Sequence, residues 1–293
     1  MLVELGGKDP AIILDDVKGL ESKVASILMR GVFQSAGQNC IGIERIIALP
    51  TSYSSLIRIL EPRIRALRLG SALDDADTTD VGAIISDSGF VRLEILIIDA
   101  VAQGARCLVG GKRFLHPKFP NGHYFSPTLL VDVTPSMRIA QEELFAPICI
   151  LMLASSISHA LSLANSTPYA LGASIFGTSP ADIEYLVNGI RAGMVSVNDF
   201  AVTYAVQLPF GGHGGSGYGR FAGEEGLRGI CNVKSVCRDR WPGWVGTKIP
   251  AAMDYPIGDA GRAWGVCKGV VEVGYGLGWR RRVKGAWRVL GGG

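Results

Sequence analysis

Short runs of β-branched and aliphatic residues alternate with stretches whose apolar positions recur at helical spacing. That alternation commits the chain to a layered α/β architecture built on a largely parallel sheet. Ala11–Leu14 reads as a strand, and the next segment sets Val17, Leu20, Val24, Ile27, Leu28 and Val32 on one helical face before Gly37 stops it. Glu44–Leu49 reads as a strand, and Thr51 is placed to cap a helix through Leu56, Leu60, Ile64 and Leu67. A helix with Phe90, Leu93, Ile97 and Val101 on one face leads to a Cys107–Val109 strand and a Gly110–Gly111 turn. Lys112–Asn121 has the composition of a surface loop. Strands are expected at 128–132, 148–153, 173–176 and 194–197, with helices near 156–165 and 180–190 between them. No internal repeat is present.

A chain of 293 residues with 48% hydrophobic content buries one or two ordinary cores, which excludes a disordered chain and a small stapled module. The six cysteines, Cys40, Cys107, Cys149, Cys231, Cys237 and Cys267, have no C-x-x-C spacing. The four histidines, His116, His123, His159 and His213, form no pair at ligand spacing, so no metal site is expected. A reducing compartment follows from the same pattern. A net charge of +3 makes no case for nucleic acid. The longest apolar run, Ala146–Ala154, is far short of the roughly 20 residues of a spanning helix and reads as a buried strand. Localisation stays open between the cytoplasm and the periphery of an intracellular membrane.

Two groups near the start of the chain carry chemistry. Cys40 lies in Gly37-Gln38-Asn39-Cys40, in the loop after the first helix, and Glu4 lies in Glu4-Leu5-Gly6-Gly7-Lys8. A thiol captures a carbonyl covalently once its surroundings activate it, and a carboxylate raised toward working pH by burial activates the water that releases the product. Glu142-Glu143-Leu144-Phe145-Ala146-Pro147 and Pro209-Phe210-Gly211-Gly212 through Ser216-Gly217-Tyr218-Gly219-Arg220 follow in order. Together the four motifs resemble those of the aldehyde dehydrogenase superfamily over residues 1 to about 240, with Ala146 standing where that family usually has glycine.

The resemblance implies an aldehyde dehydrogenase-like catalytic domain, an α/β fold with helices flanking a largely parallel sheet and without most of the N-terminal cofactor-binding domain. It implies NAD(P)-dependent oxidation of an aldehyde to a carboxylic acid through a cysteine thiohemiacetal and thioester. Cys40 takes the place of the nucleophile, Glu4 of the general base, Glu143 of the carboxylate that binds the nicotinamide ribose, and Phe145 of the ring packed beside it. Lys8, Asn198 and Phe210 fall at positions that line or support the site. One oxyanion donor would be the backbone N–H of Cys40; the family's second, an asparagine side chain, has no counterpart in this sequence. The implied cofactor is NAD or NADP, the substrate a small aldehyde, and the full-length form a homo-oligomer. Residues 1–8 then read as the remnant of a cofactor-binding domain, 9–228 as the catalytic domain, 229–240 as an oligomerisation-type strand and 241–293 as a C-terminal extension. The chain alone is expected to be inactive.

Gly212-His213-Gly214-Gly215-Ser216-Gly217 spells G-x-G-x-x-G, but no buried strand precedes it and no acidic residue stands some 20 positions on, so it is read as a tight loop. The tail poses a different question. In Trp279–Leu290 the residues Val283, Ala286, Trp287 and Leu290 form an apolar stripe opposed by Arg280, Arg281, Arg282, Lys284 and Arg288. A basic amphipathic helix with boundary tryptophan suits an anionic membrane surface; the plainer reading is a solvated or domain-packed tail. The alternative function is therefore a non-enzymatic membrane-surface or protein-interaction module.

Overall fold

A computed structural model of the chain describes every residue except 72, 74–77, 201, 239, 241, 242, 245–248 and 291–293. It separates into two compact units, Met1–Asn232 and Val233–Gly293.

The first unit is organised by strands that are buried on both faces, as parallel strands covered by helices must be. These are β2 (Asp9–Ile13), β3 (Ile43–Ala48), β7 (Thr128–Val131), β8 (Ile148–Leu153) and β9 (Gly172–Phe176), with β10 (Met194–Val197), whose residues alternate in exposure, at one edge and β4 (Arg106–Val109) at the other. The order across the sheet is β10-β9-β2-β3-β8-β7-β4, and every pairing is parallel except β4 with β7.

Between β2 and β3 runs α1 (Glu21–Phe33), which buries Val24, Ala25, Leu28 and Val32. After β3 comes α2 (Pro50–Arg65), opened by a proline whose missing N–H costs nothing at a helix start. Helix α3 (Phe90–Ala102) precedes β4. The crossover from β8 to β9 is α4 (Ile157–Ala164), capped by the Ser156 side chain, and that from β9 to β10 is α5 (Pro180–Gly189), capped by Ser179. The step from β2 to β3 and the step from β8 to β9 run in opposite directions across the sheet, so right-handed crossovers put α1 and α4 on opposite faces. One continuous core fills the space on both sides, from Ile12 and Leu28 to Leu130 and Phe176.

Two short pairings complete the unit. Strand β5 (Arg113–Phe114), inside the stretch expected to be loop, pairs antiparallel with β6 (Tyr124–Phe125) just beyond it; two residues a side are too few to show as a periodic pattern. Strand β1 (Val3–Glu4) pairs antiparallel with β11 (Gly217–Tyr218), and α6 (Gly223–Gly229) follows. The 212–217 glycine run is a turn leading into β11, as read from the sequence.

The expected strand at 231–238 is not formed: its described residues carry no regular structure. A strand needs a hydrogen-bonded neighbour, and none of the described strands pairs with it. The division between units falls inside the 229–240 segment, after Asn232. Residue 239 and parts of the 241–293 extension lie outside the described residues.

The second unit is a helical hairpin of α7 (Ala260–Tyr275) and α8 (Trp279–Val289). Asp259 caps α7, and the helices cross where Gly269 and Gly285 allow their backbones to touch. A buried Glu272 pairs with Arg288 across the crossing. Among the described residues no helix is long and apolar enough to cross a membrane.

Candidate active site

The site grows from a backbone hub at Gly6 and Gly7, between β1 and β2. Gly6 sits at φ +82°, and a Cβ there would lie 2.3 Å from Glu143 Oε2. A Cβ on Gly7 would lie 2.6 Å from the carbonyl oxygen of Cys40 and 2.7 Å from Asp9 Oδ1. Only hydrogen fits at Gly7, and at Gly6 a side chain would have to displace the Glu143 carboxylate from a left-handed backbone. The Gly7 N–H donates to Glu143 Oε1 at 3.0 Å. Segments carrying Glu4, Cys40 and Glu143 thus meet on two residues that have no side chains.

Cys40 follows α1 and a 3-10 turn, Gln34–Gly37, that contains the left-handed residues Ser35 and Ala36. Its half-buried side chain packs on Ile41, Leu171, Met194 and Phe210. Burial pushes the thiol up; a backbone hydrogen bond from Ile41 opposes this, and the nearby charges of Glu4 and Asp9 push it further up. Lys8, four residues beyond Glu4, is turned inward, fully buried against Glu44. Burial and the two carboxylates therefore favour the thiol over the thiolate.

Glu4 is exposed at the end of β1, so the burial expected of it is not supplied by the described residues; it is held in register by its pairing with Gly217 and by the Leu5 N–H bonded to the Ser216 carbonyl. Glu143 is raised by burial, with the Gly7 N–H working in the other direction. Phe145 keeps 42% of its surface exposed. Its backbone is left-handed at φ +51°, and the reason lies in β3. The buried Glu44 carboxylate accepts from the Leu144 N–H at 2.9 Å and the Phe145 N–H at 3.0 Å, and from Lys8 Nζ at 2.7 Å. Two successive N–H groups aimed at one carboxylate form an anion nest, here filled by the protein itself. Glu44 therefore fixes the 142–147 segment and ties it to the strand that follows Glu4. Burial lowers Lys8 despite the attraction of Glu44.

Arg45 is 1% exposed and donates to the carbonyls of Lys8, Leu163 and Ala164, so it closes the C-terminal end of α4 while pinning the start of β2. That start is irregular. The β2–β3 register shifts between Asp9 and Pro10, the one place in an interior strand where a residue without an N–H is accommodated.

The sequence singled out Glu4, Cys40, Glu143 and Phe145, and the hub brings the segments of all four together. Phe210 packs beside Cys40, and Lys8 supports from beneath. Asn198 does neither: its amide exchanges two hydrogen bonds with Gly177 at the end of β9. Sequence reasoning passed over Glu44, Asp9 and Tyr204. Glu44 and Arg45 left a trace, since two adjacent charges inside the apolar run Ile43–Ala48 require buried partners. Tyr204 left none. Among the described residues no cluster of histidine, cysteine or carboxylate side chains could hold a metal ion.

The family model described as the aldehyde dehydrogenase family matches residues 1–236. The chain belongs to that family. It is 53% identical over 277 residues to an aldehyde dehydrogenase-like protein of Saccharomyces cerevisiae, covering 94% of this chain and 43% of that protein. A second such protein, of Schizosaccharomyces pombe, is 53% identical over 276 residues, covering 94% and 52%. A succinate-semialdehyde dehydrogenase [NADP(+)] of Mycobacterium leprae is 35% identical over 235 residues, covering 80% and 50%. Among solved structures, betaine aldehyde dehydrogenase of Staphylococcus aureus in complex with NAD+ superimposes with a TM-score of 0.72 at 33% identity, covering 78% of this chain and 44% of that one. The chain spans about half the length of the relatives it matches.

Proposed function

We propose that the chain carries the covalent half of an aldehyde-oxidising site. The observation that carries this reading is the meeting of the Glu4, Cys40 and Glu143 segments on Gly6–Gly7. Cys40 Sγ bonds to the aldehyde carbon while its proton passes to the carbonyl oxygen, giving a tetrahedral thiohemiacetal; the Cys40 backbone N–H would stabilise that oxygen. NAD or NADP, when bound, supplies the acceptor for the hydride lost as this adduct becomes a thioester. Glu4 then takes a proton from water, the hydroxide adds to the thioester carbon, and the acid departs as the sulfur is released.

The residues present fit the ribose end of such a cofactor. Glu143 offers a carboxylate acceptor held by a single backbone bond, and Phe145 offers a half-exposed ring fixed by the Glu44 nest. The named activities of the relatives support the reading. Because the chain spans about half of their length, we expect it to turn over aldehydes with nicotinamide poorly by itself.

The test separates nucleophile from base. Mixed with p-nitrophenyl acetate, the chain should form an acetyl adduct that peptide mass spectrometry places on Cys40 and that Cys40→Ser abolishes. In Glu4→Gln the adduct should persist at least roughly tenfold longer. Absence of acetylation at Cys40, or equal lifetimes, defeats the proposal.

A second reading concerns the hairpin. On α8, Gly285, Arg288 and Val289 meet α7, and of the apolar stripe Ala286 is half-buried while Val283, Trp287 and Leu290 remain exposed, as does Trp279, with Arg280, Arg281 and Lys284 beside them. Most of the stripe is thus left outside the hairpin's packing, and its basic border matches anionic lipid. Flotation with phosphatidylserine vesicles, lost in Trp287→Ser and absent with neutral vesicles, is the expected outcome; no flotation, or flotation insensitive to Trp287, removes this reading.

A further inference from the structure

The carbonyl oxygen of the Asn39 side chain, which the reaction scheme above does not use, stands at the centre of three donors. The Tyr204 hydroxyl donates to it at 2.9 Å, the Ile41 N–H reaches it at 3.3 Å, and Cys40 Sγ lies 4.0 Å away. The Ile41 N–H can only donate, so the atom facing it is the amide oxygen and not the nitrogen. An amide oxygen has two lone pairs. With Tyr204 and Ile41 on them, the thiol is left with a long, weak contact.

We propose that Tyr204 is a positioning residue for the nucleophile: its hydroxyl occupies the amide oxygen of Asn39, which would otherwise capture the Cys40 thiol proton. A thiol that donates a full hydrogen bond is stabilised as the thiol, and the attacking species is the thiolate. Tyr204 thereby keeps Cys40 available without touching the sulfur. The ring does not depend on the hydroxyl for its place, because it stacks on Phe210 with centroids 5.8 Å apart and planes 13° from parallel, and Phe210 packs in turn on Phe221. Asn39 is equally fixed, since its backbone carbonyl closes a turn with the Gly42 N–H at 2.8 Å. The other ionisable groups whose charges act on Cys40 are Glu4 from β1 and Asp9 from β2, and they are common to every variant below.

This inference rests on the reading of Cys40 as nucleophile, and its test needs neither aldehyde nor nicotinamide. The rate of iodoacetamide alkylation at Cys40, followed by peptide mass spectrometry across pH, reports the thiolate directly. Tyr204→Phe keeps the stacked ring and removes the hydroxyl. Its profile should move to higher pH, with the rate below the midpoint falling roughly threefold, while the thermal midpoint stays at the wild-type value. In an Asn39→Ala background the same substitution should leave the profile in place. A Tyr204→Phe profile that superimposes on wild type or moves to lower pH, or a shift that persists without Asn39, overturns the inference. Such a failure leaves the acetylation test of Cys40 and Glu4 untouched, so the two readings fall separately.

Discussion

The Glu143 carboxylate rests on the N–H of Gly7, 3.0 Å away, across 136 positions of sequence. Through that one bond the segment expected to hold a nicotinamide ribose is joined to the strand expected to present the base. The expectations below concern the groups that keep this junction in place.

Gly6→Ala tests the junction itself. The new methyl group would enter at 2.3 Å from Glu143 Oε2, on a backbone at φ +82°. The left-handed strain alone costs on the order of 1 to 3 kcal/mol, and displacement of Glu143 adds to it. Urea denaturation should show a loss of at least that size. In a Glu143→Ala background the loss should shrink toward the backbone part; an equal loss in both backgrounds would show that the carboxylate does not press on Gly6.

Lys8→Met isolates the Glu44 clamp. The methionine fills the space of the lysine stem but leaves Glu44 charged in the interior without its ion-pair partner, hydrogen-bonded by the Leu144 and Phe145 N–H groups and attracted by the Arg45 charge. Removing one member of a buried ion pair typically costs roughly 3 to 5 kcal/mol. Equilibrium unfolding should show a loss in that range. Adding Glu44→Gln should return part of it, because the uncompensated charge is then gone.

Asp9 gives a pH signature. Burial holds its carboxyl well above the ordinary 3.8, outweighing the opposing hydrogen bond from Gly172. A carboxyl whose folded pKa is raised binds its proton more tightly in the folded chain. Its favourable contribution is complete below the unfolded value and disappears as pH rises through the folded one. Asp9→Asn cannot lose a proton, so its stability relative to wild type should climb as pH rises above about 4. A difference that is flat between acid and neutral pH would show that Asp9 is not desolvated.

Arg45→Lys preserves charge and removes the planar fork. Three carbonyls from two segments accept from the guanidinium, and an ammonium on a shorter stem cannot reach them together. A loss of about 2 to 3 kcal/mol is expected from the charged hydrogen bonds given up, read as a shift of the urea midpoint. Burial lowers the guanidinium to about 10, with Asp9 and Glu44 opposing. It remains charged at neutral pH, so the effect should be insensitive to pH near neutrality.

Most of the sheet was legible because buried parallel strands are short apolar runs and their connecting helices repeat every three to four residues. The expected strands at 128–132, 148–153 and 194–197 and the helix at 180–190 recur within a residue of their observed ends. The hairpin of β5 and β6 was hidden because two residues carry no period. The segment at 231–238 alternates as a strand would and carries no regular structure in the single chain, because alternation describes a face and does not specify a neighbour. In the site, Cys40, Glu4, Glu143 and Phe145 were visible through local motifs. Tyr204 was not, because its relation to Asn39 crosses 165 positions and depends on how Phe210 orients the ring. The tail pattern read as one amphipathic helix; the structure gives it a partner, α7, that meets the glycine side and leaves the tryptophans outside.

The crossing at Gly6 and Gly7 also determines which changes this region can absorb in evolution. Reactive groups on the three converging segments can be exchanged one at a time, since each hangs from its own stretch of backbone. One added carbon at Gly7 presses on the Cys40 backbone, and one at Gly6 presses on the Glu143 carboxylate from a backbone that favours glycine. Drift in chemistry is therefore permitted where drift in girth is not, and a descendant that had abandoned its reaction altogether would still be expected to keep both glycines.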